Sequence, residues 1–461
     1  MKSMRDGKPG NSRVLALPLS GCGDDSVDPP LGPDPRPGGR SDDGVLGARP
    51  GLPSPAPNVQ NLDPPSPWRS GCGGRTGGGE ETFGGLGPTY NSLSCAQCHA
   101  ADGRTVPDSR YRGRDPRRRT SSKLRISTAA GDPVPGYGTV IQDQAMTGAV
   151  PEARITVRQE TIAGTFADGE TYELVKPVFE ITDWYTGAPP RDFVVSPRIP
   201  ARQVGLGLLH AVPEAQVEAL ASLQREPISG RPNRVRDAQG QMRMGRFGYK
   251  AQNADLDVAR TFLSDIGVTS EAFPLEPYAE QSPSVPDSIL LHAPDIPDAD
   301  LDAVDYYFHT LGVPARRDLD DPRVVRGERI FRDVGCAGCH TPQLTTSSTP
   351  PRTALGTPVP ECANQTIYPY TDLLLHDLGP DLADGYGQGE AAGSEWRTTP
   401  LWGIGLQNTI NGHTYFLHDG RARNLMEAIL WHGGESEDSR EAVKRLPEED
   451  REALIRFLDS L

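Results

Sequence analysis

Apolar residues recur at helical spacing through the last third of the chain. Leu454, Phe457, Leu458 and Leu461 fall on one face behind Pro447, which opens that helix. Asp321-Pro322 supplies an N-cap and a first helical position for another helix, with Gly327 and Phe331 four apart on one face. A small residue at 327 lets these two helices cross closely. Asn424, with Glu427 three positions later, reads as a capping box. The helix it opens carries Leu425, Ala428, Ile429 and His432 on one side, and Gly433-Gly434 stop it. Further upstream, Leu301, Val304, Phe308 and Leu311 share a face, with Gly312 and Pro314 as the stop. Leu208 to Leu223, with Pro213 as a break or first-turn residue, predicts one more helix, and Leu256 to Ile266 behind Asp255 another. Residues 154–183 follow a different rule. Ile155-Thr156-Val157 leads into Glu160–Phe166, Asp168-Gly169 makes a turn, and Tyr172–Ile181 returns, which is the period-two pattern of a β-hairpin. The prediction is a mainly α protein with a β-hairpin insertion in its first half.

The N-terminal region has no such periodicity. From Gly23 to Gly79, 25 of 57 residues are Gly or Pro, too few apolar groups to bury a core, so 23–80 reads as a flexible tether. Before it, basic Lys2, Arg5, Lys8 and Arg13 precede the apolar run Val14–Leu19 and then Ser20-Gly21-Cys22. This has the layout of a bacterial lipoprotein signal over 1–22, with Cys22 as the lipid-bearing residue; the short run and Pro18 leave an unexported N-terminus as the other reading. Ordered sequence is expected in two domains, 81–315 and 316–461. The net charge is −15, so no general positive field gathers nucleic acid. No run of 18 apolar residues exists, so membrane contact is expected only through the lipid. Arg110, Arg112, Arg114, Arg117, Arg118, Arg119, Lys123 and Arg125 form a basic stretch, either a docking patch or a solvated loop.

Seven cysteines are too few for a disulfide scaffold, and their placement carries the information. Four form two pairs, each followed by His: Cys95-Ala-Gln-Cys98-His99 and Cys336-Ala-Gly-Cys339-His340. A spacing of three brings both sulfurs to one side of a tight turn, within reach of the two vinyl groups of a haem. The next residue then offers an imidazole to the iron. A Cys₄ zinc site does not account for the two histidines, and a thioredoxin-like motif needs a βαβ pattern that is missing here. Two covalently bound haem c groups are therefore expected, held by Cys95, Cys98, Cys336 and Cys339 with His99 and His340 on the irons. Two helices crossing over such a group make a small cytochrome c-like domain, so each ordered domain is read as one. Cys72 and Cys362 are left over and either pair or stay free.

Several stretches together resemble the di-haem oxidoreductases related to bacterial di-haem cytochrome c peroxidases. They are Gly85-Leu86-Gly87-Pro88, Gly205-Leu206-Gly207-Leu208-Leu209, Gly245-Arg246-Phe247-Gly248-Tyr249-Lys250-Ala251, Leu375-His376-Asp377-Leu378-Gly379-Pro380, Arg397-Thr398-Thr399-Pro400-Leu401-Trp402-Gly403 and His418-Asp419-Gly420-Arg421. The resemblance spans about 83–461. It implies that the residue fourteen after His418, His432, is the sixth ligand of the second haem. Relatives carry Met or Tyr there, and His in place of Met lowers the haem potential. Phe247, Leu256 and Ala259 echo Phe416, Leu425 and Ala428, and the position matching His432 is then Leu263, which cannot bind iron. The first haem thus either has an open sixth position or takes a ligand from elsewhere.

Relatives place a distal His soon after the first motif, but the next here is His210, the first-ranked distal base ahead of Lys250, Met244 and Met146. Tyr249 and Trp402 are candidate electron relays, and of the unassigned His292, His309, His376 and His413, His376 is expected to contact a haem. Calcium lies between the domains of related peroxidases, and no oxygen-ligand cluster for it stands out here. The resemblance implies a periplasmic enzyme that reduces hydrogen peroxide with electrons from a small cytochrome or cupredoxin. The other readings are an electron carrier with both haems six-coordinate and an oxidase of a thiol or protein side chain.

Overall fold

The computed structural model describes residues 89–92, 98–107, 123–145, 150–185, 187, 192–237, 240–256 and 296–461. The signal and tether readings, Cys22, Cys72, Cys95, Met146, Ala259, Leu263, His292 and the basic run 110–119 lie outside these residues. All described residues belong to one contact unit, Leu46–Leu461.

Among the described residues 29% are helical and 23% are strand, spread over several small sheets, so the expectation of a mainly α protein is corrected. The extra strand comes mostly from short alternating runs. β1 (Lys123–Thr128) pairs on one side with β2 (Val140–Ile141). The long hairpin follows as β3 (Arg154–Thr165) and β4 (Thr171–Thr182), in continuous register from Arg154↔Thr182 to Thr165↔Thr171. β5 (Phe193–Arg198) covers the other side of β1. Leu124, Ile126, Val134, Tyr137 and Ile141 make a β core there. Lys123 and Arg125, read as part of a basic loop, lie on β1, where alternation buries Leu124 and Ile126.

The helices follow their punctuation. Pro213 separates α1 (Leu206–His210) from α2 (Glu214–Leu223). α3 (Asp298–Thr310) precedes α4 (Pro322–Asp333), whose N-cap Asp321 accepts from the Arg323 amide. Two three-residue strands, β6 (Leu375–Asp377) and β7 (Glu395–Arg397), pair across a long loop. α5 (Gln407–Asn411), α6 (Leu425–Leu430), α7 (Glu437–Lys444) and α8 (Glu448–Ser460) complete the chain. Asn424 accepts from the Glu427 amide at 2.8 Å, while the Glu427 carboxylate reaches back to the Arg423 amide rather than to the cap residue's own.

Two apolar clusters flank the functional region. One joins Val324, Phe331, Leu454, Phe457 and Leu461 with Phe166 and Leu174 from the hairpin. The other joins Leu209, Val217, Phe247 and Leu301 with Leu344, Leu374 and Trp402. In the first, α4 and α8 cross so closely at Gly327 that an added Cβ would lie 1.9 Å from the Ala453 carbonyl oxygen. That atom is helix backbone and cannot yield cheaply. Gly327→Ala is expected to cost about 1–3 kcal/mol through overpacking, measured as a lowered denaturation midpoint with an unchanged m-value.

Candidate functional site

The turn that carries the second motif begins where α4 ends. Gly335, at φ 90°, breaks the helix, and Cys336–Gly338 form a single 3₁₀ turn. This turn sets Cys336, Cys339 and His340 along the wall of a cavity of about 490 Å³, in the range of cofactor sites. Cys98 and His99 of the first motif and His432 line the same cavity. Among the described residues, no three His, Cys, Asp or Glu converge as a bare metal ion would require.

The imidazoles suit a haem iron. The Nδ1 of His340 bonds the Tyr370 carbonyl at 2.9 Å, and the Nδ1 of His432 bonds the Ala428 carbonyl at 2.7 Å. Each ring is thereby oriented and its Nε2 left for coordination, the usual arrangement of a ligating histidine. Burial lowers both pKa values, His340 to about 4 with His432 near enough to add to the shift, which keeps both neutral as ligands must be. Tyr370 takes φ 53°, a costly conformation for a bulky residue, at the point where its carbonyl meets His340. His99 is held differently: its Nδ1 faces the Gln203 amide at 2.9 Å and the Gly103 carbonyl at 3.3 Å. Burial pushes the Cys336 thiol up to about 12, a neutral thiol rather than a redox-active thiolate.

His376 stands beside the second motif, its Nδ1 3.6 Å from the Cys339 sulfur. Desolvation opposes its charge, but Asp372 at 2.9 Å and Glu435 at 2.7 Å outweigh this and hold it as an imidazolium, far above the ordinary histidine range. Glu435 is desolvated too, yet His376 and the Ser229 and Asp377 amides hold it down to about 2.

The other expected residues are placed less directly. His210 does not line the cavity; it shares hydrogen bonds with the buried His309 at 2.9 Å and with the half-exposed Asp255 at 3.3 Å. Met244 is buried in an apolar cluster away from the cavity wall. The Lys250 ammonium is committed to the carbonyls of Ala392, Gly393 and Glu395 and to Asp384, and it lies 4.1 Å over the Trp396 ring. Tyr249 and Trp402 both line the cavity. Cys362 is buried, its thiol donating to the His309 carbonyl.

Two features were not singled out from the sequence. His418 stacks on Trp396 with centroids 3.8 Å apart and lines the cavity, and burial drives its pKa well below the usual histidine value. Arginines crowd the same wall. The signal for His418 is its place in His418-Asp419-Gly420-Arg421 and that for Arg397 its place at the head of Arg397–Gly403; nothing local marks Arg104, Arg198 or Arg202, which come from a separate strand and loops.

Replacing His432 with Ala is expected to change the optical and paramagnetic spectrum of one haem and leave the other intact; identical spectra would remove it from the ligand set. Glu435 contributes stability that is full above its unfolded pKa near 4.5 and is lost as pH falls toward 2. Glu435→Gln should therefore flatten the acid limb of the stability–pH curve, read as denaturation midpoint between pH 5 and pH 2.5.

The family model described as "Di-haem oxidoreductase, putative peroxidase" matches residues 134–461, a stretch that contains the second motif and begins after the first. No curated protein matches. A solved structure, the hydrazine synthase of Kuenenia stuttgartiensis pressurized with xenon, is 21% identical over 34% of this chain, with a TM-score of 0.21, too low to bear on fold or function. This chain covers 52% of that one. With the match extending over most of its length, the chain belongs to the di-haem oxidoreductase family, whose members carry two haems.

Proposed function

We propose that the protein is an exported di-haem c-type enzyme that reduces hydrogen peroxide to water with electrons from a small redox protein. The observation that carries this reading is an asymmetry in the cavity. His340 is accompanied by a second tied-back imidazole, His432, whereas the imidazole that lines the cavity beside Tyr249 of the first half, His418, is held by stacking on Trp396. His340 and His432 would together hold the haem at which electrons enter, and the haem held by His99 would supply the site for peroxide.

Cys95 and Cys98 would hold one haem and Cys336 and Cys339 the other, with His99 and His340 as proximal ligands. The bound haems supply the one-electron redox chemistry. The reaction consumes one peroxide, two electrons and two protons and yields two waters. The chain's own part is proton handling and exclusion of water. His418, buried and neutral, is the cavity-lining imidazole able to take a proton and return it, and Trp396 fixes its plane. His210, outside the cavity wall, can act on such a proton only through intervening groups. Thioether attachment belongs outside the cytoplasm, which supports a periplasmic location, with a lipid at Cys22 as the membrane tie. A net charge of −15 favours a basic cytochrome or cupredoxin as donor.

Protein matured in a host with the c-type cytochrome machinery should be heavier than its polypeptide by two haems in intact-mass spectrometry. It should oxidise reduced cytochrome on addition of peroxide, and part of its iron should be high-spin by paramagnetic resonance. Two wholly low-spin haems with no turnover after partial reduction would overturn the reading in favour of an electron carrier.

A further inference from the structure

Four arginines of the cavity wall gather around Tyr249. The Arg104 guanidinium bonds the Tyr249 hydroxyl, and Arg198 lies 5.8 Å from the centre of the Tyr249 ring. Arg397 donates its amide to the Tyr249 carbonyl at 2.9 Å and its Nε to the Gly248 carbonyl at 3.0 Å. Arg202 is close enough to Arg104 and Tyr249 to sense the charge of each. All four line the cavity.

Among the described residues these charges have a single carboxylate between them. Arg104, Arg202 and Arg397 bond only carbonyl oxygens and the phenol. Arg198 has the one carboxylate, Asp384 at 3.0 Å, which Lys250 shares at 3.3 Å. Arg198 is 5% exposed, and its Nη1, like that of Arg202, is buried with no hydrogen-bond partner. A guanidinium keeps its proton in a protein, so such a group is costly unless an anion reaches it. Two planar acceptor oxygens match the guanidinium fork, and this points to carboxylates.

The cluster belongs to both halves of the cavity. Arg104 follows His99 by five residues, and Arg202 adjoins Gln203, which faces His99 at 2.9 Å. Arg397 pairs in register with Leu375, next to His376 at the Cys339 sulfur.

We infer that Arg104, Arg198, Arg202 and Arg397 form one carboxylate cage around Tyr249 that receives propionates from both haems. The cage thereby joins the two haems electrostatically. The inference rests on the presence of two haems and not on peroxide as substrate. Loss of a cage charge favours the ferric state, so it should lower the potential of every haem whose propionate the cage holds.

The test is spectroelectrochemical titration of holoprotein carrying Arg202→Gln or Arg397→Gln, with the midpoint of each haem followed at its own wavelength. Either substitution should shift both midpoints downward. A shift confined to one haem, or none, would overturn the shared cage. Arg202→Lys and Arg397→Lys, which keep the charge, should leave both midpoints closer to wild type than the Gln variants do, and they serve if the latter do not mature; a Lys variant that falls as far as its Gln counterpart would count against the electrostatic role. Addition of acetate to wild-type holoprotein distinguishes a free carboxylate from a propionate: no saturable spectral change is expected, and one would reassign the cage to an exogenous acid. These readouts need no turnover, so they remain interpretable if peroxide proves not to be the substrate.

Discussion

Uncompensated positive charge in the cavity is the constraint on which the site depends. The chain as a whole carries −15, yet Arg104, Arg198, Arg202 and Arg397 face inward around Tyr249 with a single carboxylate, Asp384, among their bonds. Burying unpaired charge is unfavourable by several kcal/mol per ion. Anionic groups that reach these guanidiniums would relieve that cost. A haem brings carboxylates and an iron together, so the requirement for counter-charge and the requirement for a ligand at the histidines are met by one group.

The second histidine pair adds a different kind of preorganisation. His340 and His432 come from opposite ends of the second motif's surroundings, one after a 3₁₀ turn and one just past α6, and each is tethered through Nδ1 to a backbone carbonyl. Carbonyls on fixed backbone orient the rings before any iron arrives. His376 is held by carboxylates instead, Asp372 and Glu435, and both of its nitrogens are engaged. It cannot coordinate without breaking an ion pair, so its place at the Cys339 sulfur is positional and electrostatic.

What was legible in the sequence was local. Asp321-Pro322, Pro447, Asn424 with Glu427, and Asp168-Gly169 each state a cap or a turn in two to four residues, and each stands at the boundary of its element. Cys336–His340 was equally plain because its spacing is that of a haem-attachment motif. The error in fold class had the opposite origin. β1 and β5 are six residues each and meet across a separation of about seventy, and β6 and β7 are three residues each, so their pairing is decided by partners far along the chain. A basic residue at 123 or 125 looks like a loop until the alternating Leu124 and Ile126 are seen to be buried. The arginine cage was hidden for the same reason, since four residues between positions 104 and 397 carry no spacing.

The hairpin shows why those long-range pairings matter to the site. β3 and β4 project from the first half, but Phe166 and Leu174 at their far end pack into the cluster built by α4 and α8. The Asp168 carboxylate accepts from Arg451 at 2.7 Å, Glu170 bonds the same guanidinium, and the Ala167 amide donates to the Lys444 carbonyl at 3.0 Å. Arg423, at the entrance to α6, donates to the Glu173 carbonyl at 2.6 Å. One hairpin thus ties together α6, whose end presents His432, and α8, whose crossing with α4 supports His340. The other end of the hairpin runs into β5, which carries Arg198 into the cage. A displacement of the hairpin would therefore move His340, His432 and Arg198 together, which makes this β element a brace between the second motif and the arginine cluster.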